Sequence, residues 1–196
     1  MSFKETRTAE NLMKSFAGES QARMRYQYAA STAKKAGYEQ ISAIFNETAD
    51  NEKEHAKLFF KHLLKYGLEG EVINIMASYP VGWSPEDTLK NLEFAANGEK
   101  EEWTELYPTF AEIAEDEGYK DIALTYRLIA KVEKAHEIRF RKLYANVKDL
   151  KVFKKDDKVF WKCINCGYIH EGPEAPNLCP CCQHPQAFFE VFTETY

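Results

Sequence analysis

Apolar residues recur every three or four positions along two long stretches in the first third of the chain. This spacing places them on one face of an α-helix, so it predicts two amphipathic helices. The first helix is expected at about residues 8–35 and the second at about residues 39–66. Gly37 and Gly67 follow them, and glycine is common just after a helix ends.

Ionisable side chains interrupt the apolar face of both helices. Glu19 lies in phase with the apolar residues of the first helix, and Glu52 and His55 lie in phase with those of the second. A carboxylate buried in a helical core needs a compensating partner. A metal ion would be such a partner.

The segment of residues 67–83 breaks the helical pattern, and it contains Pro80 and Gly82. A connection of this length suits a bundle in which the second and third helices run parallel, because the chain must cross the length of the bundle between them. Ser84 is expected to be the N-cap of the third helix, with Pro85 in its first turn. The pattern therefore predicts a mainly α protein with a ferritin-like four-helix bundle and a long crossover.

The second half of this bundle holds the third and fourth helices. Pro108 falls inside the third helix and should kink it or loosen a turn, because proline has no N–H to donate. The fourth helix is expected over residues 120–146, after Gly118.

The two halves repeat one another at an offset of 80 or 81 residues. Glu19 recurs as Glu99, Gly37 as Gly118, and the pair Glu52 and His55 as Glu133 and His136. Residues three apart share a helix face, so the Glu and His of each pair can bind the same metal ion. One Glu from each of two helices and a Glu-x-x-His from each of the others is the ligand set of di-iron and di-manganese bundles.

The third helix adds one more carboxylate, because Glu102 follows Glu99 by three residues. Glu101 and Glu105 are competing candidates. Glu101 lies about 200° round the helix from Glu99 and is expected to be solvated, whereas Glu105, about 120° from Glu99, is less easily dismissed. Mixed carboxylate and imidazole ligation suits iron or manganese. The predicted ligands, one more than two metals require, are Glu19, Glu52, His55, Glu99, Glu102, Glu133 and His136.

Tyr26 follows Glu19 by two helical turns and has nearly the same azimuth. We hypothesise that its hydroxyl donates a hydrogen bond to a metal ligand or to a bound oxygen species. The alternative is a core tyrosine whose hydroxyl lies at the edge of the bundle. His62 has no carboxylate at the matching spacing and is assigned to the surface.

All five cysteines lie between residues 163 and 182, and four of them form two Cys-x-x-Cys knuckles. The tail of about 40 residues is too small to fold around its own core, so it is expected to need a metal. Zinc and iron both accept four thiolates. Cys181 is left spare, and His170 and His184 are rival ligands. The predicted four-cysteine site is formed by Cys163, Cys166, Cys179 and Cys182.

Length, charge and hydrophobicity limit the possible partners, the location and the number of domains. The chain of 196 residues has a formal net charge of −5 and no sustained basic run, so no nucleic-acid partner is expected. No segment approaches the roughly 20 apolar residues that span a bilayer, and the amino terminus lacks the apolar stretch of a signal peptide, so a cytoplasmic location is expected. A Lys- and Asp-rich linker at about 147–158 predicts two domains, residues 1–148 and 156–196.

The tail motifs Cys-x-x-Cys-Gly-Tyr168 and Cys-Pro-x-Cys182, flanked by Trp161, Phe188 and Phe189, resemble those of rubredoxin. The chain as a whole resembles the rubrerythrin family, and the likeness covers essentially all of its residues. The bundle motifs that carry it are Gly-Glu-Ser20, Glu52-Lys-Glu-His55, Gly98-Glu99-x-x-Glu102-Trp103, Tyr107-Pro108-x-Phe110 and Glu133-x-x-His136.

This resemblance implies a peroxidase. A non-haem di-iron centre would reduce hydrogen peroxide to water with electrons from one iron in the rubredoxin-like domain. NAD(P)H would supply these electrons through separate proteins, a reductase or a rubredoxin. The family's head-to-tail homodimer is also expected. The resemblance also implies that one iron exchanges Glu102, when oxidised, for His55, when reduced. Tyr26 and Tyr107 match family tyrosines near the oxygen-binding side, and we expect Glu102, His55 and Tyr26 to be catalytic.

Two other functions are considered for the same residues. The bundle could oxidise and sequester ferrous iron, as a ferroxidase or ferritin-like protein, although storage gains nothing from a tethered one-electron carrier. Alternatively, the tail could be a zinc ribbon that binds a partner, with the bundle as its scaffold.

Overall fold

The computed structural model describes residues 2–195, and they form a helical bundle followed by a small β-sheet domain. A π-helical turn, Glu102–Leu106, joins the helices Thr88–Glu101 and Tyr107–Asp116 into one continuous rod, which is the predicted third helix of the bundle. In chain order the elements are α1 (Arg7–Lys35), α2 (Glu39–Lys65), α3 (Thr88–Glu101), α4 (Tyr107–Asp116), α5 (Lys120–Lys148), β1 (Lys154–Cys163), β2 (Ile169–Glu174) and β3 (Phe189–Val191).

Two apolar clusters show how the helices run. One cluster joins the end of α1 to the starts of α2 and α3 and the end of α5, and it includes Phe45 and Phe140. The other joins the start of α1 to the end of α2, to α4 and to the start of α5, and it includes Phe59 and Tyr126. Since α2 and α3 begin at the same end, they are parallel, and the segment of residues 66–87 crosses the length of the bundle. This is the predicted arrangement.

The prediction that Ser84 caps the third helix is wrong. The helix begins at Thr88, and the Asp87 carboxylate accepts a hydrogen bond from the Lys90 N–H at 3.0 Å. Ser84 is held instead by Asn91: its N–H donates to Asn91 Oδ1 at 2.7 Å, and its carbonyl accepts from Asn91 Nδ2 at 2.8 Å. Ser and Asp are both good N-caps, and a contact seven residues away decides between them.

The predicted effect of Pro108 is present as the π-helical turn before it. Proline cannot donate to the carbonyl of Thr104, so the ordinary α-helical bond is missing at this point. The N–H of Tyr107 bonds to the carbonyl of Glu102, five residues back. The wider turn changes the direction of the side chains that follow it by adding one residue to the helix.

The linker between bundle and tail is shorter than predicted. The expected linker at 147–158 is reduced to residues 149–153, because α5 continues to Lys148 and β1 begins at Lys154. The charged residues at the start of β1 are mostly exposed, so the strand there lacks the apolar alternation that would reveal it in the sequence.

The tail is a three-stranded antiparallel sheet in the order β2-β1-β3. Its small core surrounds the fully buried Trp161, whose indole N–H donates to the carbonyl of Gly172 at 3.0 Å. The sheet packs on the end of its own bundle, where the rings of Tyr38 and Phe153 stack and Gln40 Nε2 donates to Glu190 Oε2 at 3.5 Å. Within residues 2–195, no helix is both long enough and apolar enough to cross a membrane.

Candidate metal centres

Six of the seven predicted bundle ligands converge between the two apolar clusters, and all six are buried. They form two groups, and within each group the ligand atoms all lie within 4.8 Å of one another. The first group is Glu19, Glu52, His55 and Glu133, and the second is Glu52, Glu99, Glu133 and His136.

Glu52 and Glu133 belong to both groups. The Oε2 atom of Glu52 lies 2.8 Å from His55 Nδ1, and its Oε1 atom lies 3.2 Å from His136 Nδ1. Glu133 does the same, with Oε1 2.8 Å from His55 Nδ1 and Oε2 2.9 Å from His136 Nδ1. Each carboxylate therefore presents one oxygen to each histidine, as a carboxylate that bridges two metals would.

The charges of this centre fit a cation. Burial and the charges of Glu52 and Glu133 raise the pKa of Glu19 well above its usual range. Burial lowers the pKa of His55, but the neighbouring carboxylates of Glu133 and Glu52 raise it to about 11. Burial likewise lowers the pKa of His136, and its neighbouring carboxylates raise that pKa to about 12. Without metal, protons on the imidazoles therefore balance the buried carboxylates, so metal binding must displace protons.

Several ligand atoms also lack a well-directed hydrogen bond within residues 2–195. Buried polar atoms are almost always paired, so such a concentration marks the place of a missing partner. Oxygen and imidazole nitrogen together suit iron or manganese. The atoms without a well-directed hydrogen bond, some of which make the close contacts given above, are Glu19 Oε2, Glu52 Oε1, Glu99 Oε2, both oxygens of Glu133, and His136 Nδ1.

Two tyrosines donate hydrogen bonds to the lone glutamates. Tyr26 Oη–H donates to Glu99 Oε1 at 2.5 Å, which is a contact of the kind predicted from its helical phase. Tyr107 Oη–H donates to Glu19. Burial and the adjacent charge of Glu99 raise the pKa of Tyr26 well above its usual range, so the phenol keeps its proton.

The π-helical turn explains the irregular repeat offset. The glutamates Glu19 and Glu99 are 80 positions apart, whereas Tyr26 and Tyr107 are 81 apart. One extra residue therefore lies between glutamate and tyrosine in the second half of the bundle. The π-helical turn absorbs it, and both tyrosines still reach a ligand.

Glu102 is the predicted ligand that the structure leaves outside both groups. It lies at the start of the π-helical turn and is half-buried. Burial and the charges of Glu19 and Glu99 raise its pKa well above the usual range, so it is close to the centre. Glu101 is exposed, as its helical position predicts, and Glu105, which the sequence left open, is exposed as well.

Asn51 is a neighbour of the centre that the sequence pattern did not reveal. Its Oδ1 lies 3.2 Å from His136 Nε2, the ring nitrogen that faces away from the carboxylates. Such a contact fixes the orientation of a ligand imidazole. Its repeat counterpart is Val132, so comparing the two halves gives no signal. His62 lies elsewhere, half-buried, with Nε2 2.8 Å from Thr125 Oγ1.

The four predicted cysteines of the tail also converge, with all sulfur atoms within 4.8 Å. The Sγ atoms of Cys163 and Cys182 are 3.7 Å apart, and those of Cys166 and Cys179 are 3.6 Å apart. The backbone N–H of His184 lowers the pKa of Cys182 to about 6, which favours the thiolate needed for metal binding.

The remaining candidates in the tail lie outside this cluster. Cys181 is exposed and is not part of it, as the spacing predicts, and neither His170 nor His184 belongs to it. Gly167 has a φ of +80° and donates its N–H to the Cys163 carbonyl at 2.8 Å, closing the first knuckle.

Comparison with known families decides what this pair of sites belongs to. The profile of the rubrerythrin family matches residues 10–144, and that of the rubredoxin-like domain of rubrerythrin matches residues 161–190. The chain belongs to the rubrerythrin family. The rubrerythrin of Clostridium perfringens is 62% identical over 195 residues, which are 100% of this chain and 99% of that protein.

Solved structures agree with this assignment. The rubrerythrin fold described above matches nigerythrin in its fully reduced, all-ferrous state with a TM-score of 0.64 and 30% identity, over 97% of this chain and 92% of nigerythrin. A bacterioferritin of Desulfovibrio desulfuricans, 20% identical with a TM-score of 0.64, covers 74% of this chain and 82% of its own. At that identity the match shows the ferritin-like fold alone.

Membership of the family confirms the predicted fold class, a ferritin-like bundle with a rubredoxin-like tail. It also confirms the predicted activity and cofactors. As a rubrerythrin, the protein is a peroxidase whose substrate is hydrogen peroxide, with a di-iron centre and one iron in a four-cysteine site.

Proposed function

We propose that this rubrerythrin reduces hydrogen peroxide at two irons held by seven bundle residues and regains electrons through an iron held by four cysteines. The observation that carries the proposal is the double sharing of Glu52 and Glu133 between two groups of ligands. The proposed ligands are Glu19, Glu52, His55, Glu99, Glu102, Glu133 and His136 in the bundle, and Cys163, Cys166, Cys179 and Cys182 in the tail.

The reaction converts one hydrogen peroxide, two electrons and two protons into two waters. Two irons held by these residues would supply the electrons, one from each ion. The chain supplies the surroundings: the apolar clusters on either side exclude bulk water, and Tyr26 and Tyr107 hold protons on Oη beside Glu99 and Glu19.

His55 and Glu102 support the proposed ligand exchange. His55 stands in the first group with Glu19, whereas Glu102 is close by but outside it. This is the arrangement expected of the reduced form if Glu102 replaces His55 on oxidation. The π-helical turn places Glu102 where the helix is least tightly wound, which gives its carboxylate room to move.

Rapid mixing of the reduced protein with peroxide, and separately with oxygen, tests the function. We expect fast reoxidation by peroxide and slow reaction with oxygen. The reverse order would favour the iron-sequestering function. A colourless tail that contains zinc in place of iron, in protein produced with its native metals, would contradict the electron-carrier role.

Replacing Tyr26 with Phe is expected to slow the peroxide reaction by about tenfold while the iron content stays at its normal value, because a proton donor beside Glu99 is lost. Single-turnover rates and iron analysis measure the two quantities. Tyr28→Phe, an exposed tyrosine on the same helix, is the matched control. Equal rates for the two variants would exclude a role for the Tyr26 hydroxyl.

The supply of electrons is proposed from the chemistry of the tail. One iron in four thiolates exchanges a single electron at a time. A separate reductase or rubredoxin, ultimately drawing on NAD(P)H, would supply those electrons.

The described cysteines form no disulfide. A cysteine cluster that can hold a metal is typical of a reducing compartment, which supports the proposed cytoplasmic location.

The distance between the two sites supports a head-to-tail homodimer. The tail contacts its own bundle at Gln40, and His55 lies 15 positions further along α2, which is about 22 Å of helix. A second subunit in the opposite orientation would bring its tail closer to this centre. Leu124 and Leu128, exposed on one face of α5, offer apolar surface for such an interface.

Mixing two inactive variants tests transfer between subunits. Subunits with Glu52→Gln lack the bundle centre, and subunits with Cys166→Ser lack the tail iron. After equal mixing and subunit exchange, half the dimers are mixed, and each mixed dimer has one intact tail facing one intact bundle centre. If electrons cross between subunits, turnover should therefore recover to about a quarter of the wild-type value. Steady-state peroxidase assays measure this. Turnover no higher than that of the separate variants would place transfer within one subunit.

A further inference from the structure

Two glycines stand directly before the lone glutamates of the centre, Gly18 before Glu19 and Gly98 before Glu99. Both lie within helices, where glycine is less favourable than alanine. Close packing does not require them. A Cβ atom at Gly18 would meet only Tyr79 Cε1, at an ordinary 3.8 Å, and at Gly98 it would meet nothing within 4 Å.

Both glycines line the same cavity, which has a volume of about 360 Å³. Residues 76–80 of the crossover cover it from outside, and Met76 and Glu101 at this side are exposed. The buried side chains of Ser15 and Tyr107 line its inner side.

The inner side of the cavity reaches the proposed ligands. Tyr107 lines it and donates its hydroxyl hydrogen bond to Glu19, and Glu102 lines it as well. A water molecule occupies about 30 Å³ in the liquid, and hydrogen peroxide has only one more oxygen atom, so the cavity has ample room for it. Polar groups at the inner side and exposed residues, Met76 and Glu101, at the outer side are what a route for a small polar substrate needs.

We propose that Gly18 and Gly98 keep open the route by which hydrogen peroxide reaches the bundle centre, with crossover residues 76–80 as its outer wall. This inference rests on the proposed peroxidase function. The missing side chains, at the cost of helix stability, leave space beside each lone glutamate. The ring of Tyr79 narrows the route at Gly18, so the route selects small peroxides over bulky ones.

Filling the cavity from Gly98 tests the proposal. Gly98→Leu is expected to slow reoxidation of the chemically reduced protein by hydrogen peroxide at least about tenfold, since the added isobutyl group occupies the route. The loss should be greater for tert-butyl hydroperoxide, and the iron content should not change. Ala135→Leu, which adds one carbon atom fewer at an exposed position on α5, should react at the wild-type rate.

Gly98→Ala gives a measurement that needs no iron. One methyl group in open space on a helix should raise the unfolding midpoint of the metal-free protein by about 2 to 4 °C, while peroxide reoxidation of the iron-loaded variant is slowed less than in Gly98→Leu. A lower midpoint would show that the glycine serves the fold, and would overturn the proposal.

The outcomes separate this inference from the proposed function. Wild-type protein that peroxide fails to reoxidise would overturn the function, and the access route with it. If wild type reacts quickly and both Gly98 variants react equally quickly, the access route alone is overturned. If Gly98→Leu does not fold, the comparison of Gly98→Ala with wild type decides in the same way.

Discussion

Replacing Glu52 with glutamine is expected to abolish the two-metal centre and lower peroxidase turnover by about 100-fold or more. Outer partners of metal ligands already contribute about 10- to 100-fold, and Glu52 faces both histidines directly. Glutamine keeps the shape but removes a charge and one acceptor oxygen. Neither of the two metal positions then keeps its full set of ligands. Iron analysis after anaerobic loading, together with steady-state rates, measures the loss.

Glu54→Gln is the matched control for this change. Glu54 lies two residues along the same helix, is exposed, and pairs with Lys57 at 3.1 Å. An exposed ion pair of this kind contributes little to stability, so iron content and turnover should be those of the wild type. If Glu52→Gln still bound two irons in addition to the one in the tail, the shared-carboxylate geometry could not be the basis of the site.

The proposed bundle ligands were predictable because their pattern is local. Glu52 and His55 share a helix face whatever the rest of the chain does, and the same holds for Glu133 and His136. The repeat offset then relates the two halves without any knowledge of how they pack. The structure brings together six residues that the sequence could place only on helix faces.

What the sequence could not reveal depends on contacts between distant residues. The choice of Asp87 over Ser84 as the cap depends on Asn91, and the contact of Asn51 with His136 joins two helices. The offset of 80 for one pair of landmarks and 81 for others did record the extra residue of the π-helical turn. Without coordinates, however, the extra residue could not be assigned to a particular turn of the helix.

In the tail, too, local sequence patterns were predictable and contacts between distant residues were not. Cys-x-x-Cys spacing is local, so the four clustered cysteines and the spare Cys181 were predicted. The beginning of β1 was not, because Lys154 and the charged residues after it face solvent. The contact of Gln40 with Glu190, which holds the tail on the end of the bundle, joins residues 150 positions apart and leaves no local pattern.

Replacing Cys166 with serine is expected to remove the tail iron and its visible absorbance, and to lower steady-state turnover by about 100-fold. The reaction of a chemically reduced bundle with a single dose of peroxide should keep its wild-type rate, because the six converging bundle residues are unchanged. The contrast between the two rates would locate the defect in the return of electrons. A steady-state rate near that of the wild type would show that electrons reach the bundle without the tail.

Cys181→Ser supplies the control, since both cysteines are exposed and lie in the same small domain, but only Cys166 belongs to the cluster. The Cys181 variant should keep its iron, its absorbance and its turnover. If it lost the tail iron instead, Cys181 would be a ligand in place of Cys182, and the sulfur contact of Cys182 with Cys163 at 3.7 Å would need another explanation. Equal behaviour of the two variants would mean that the four-cysteine geometry does not determine how the tail works.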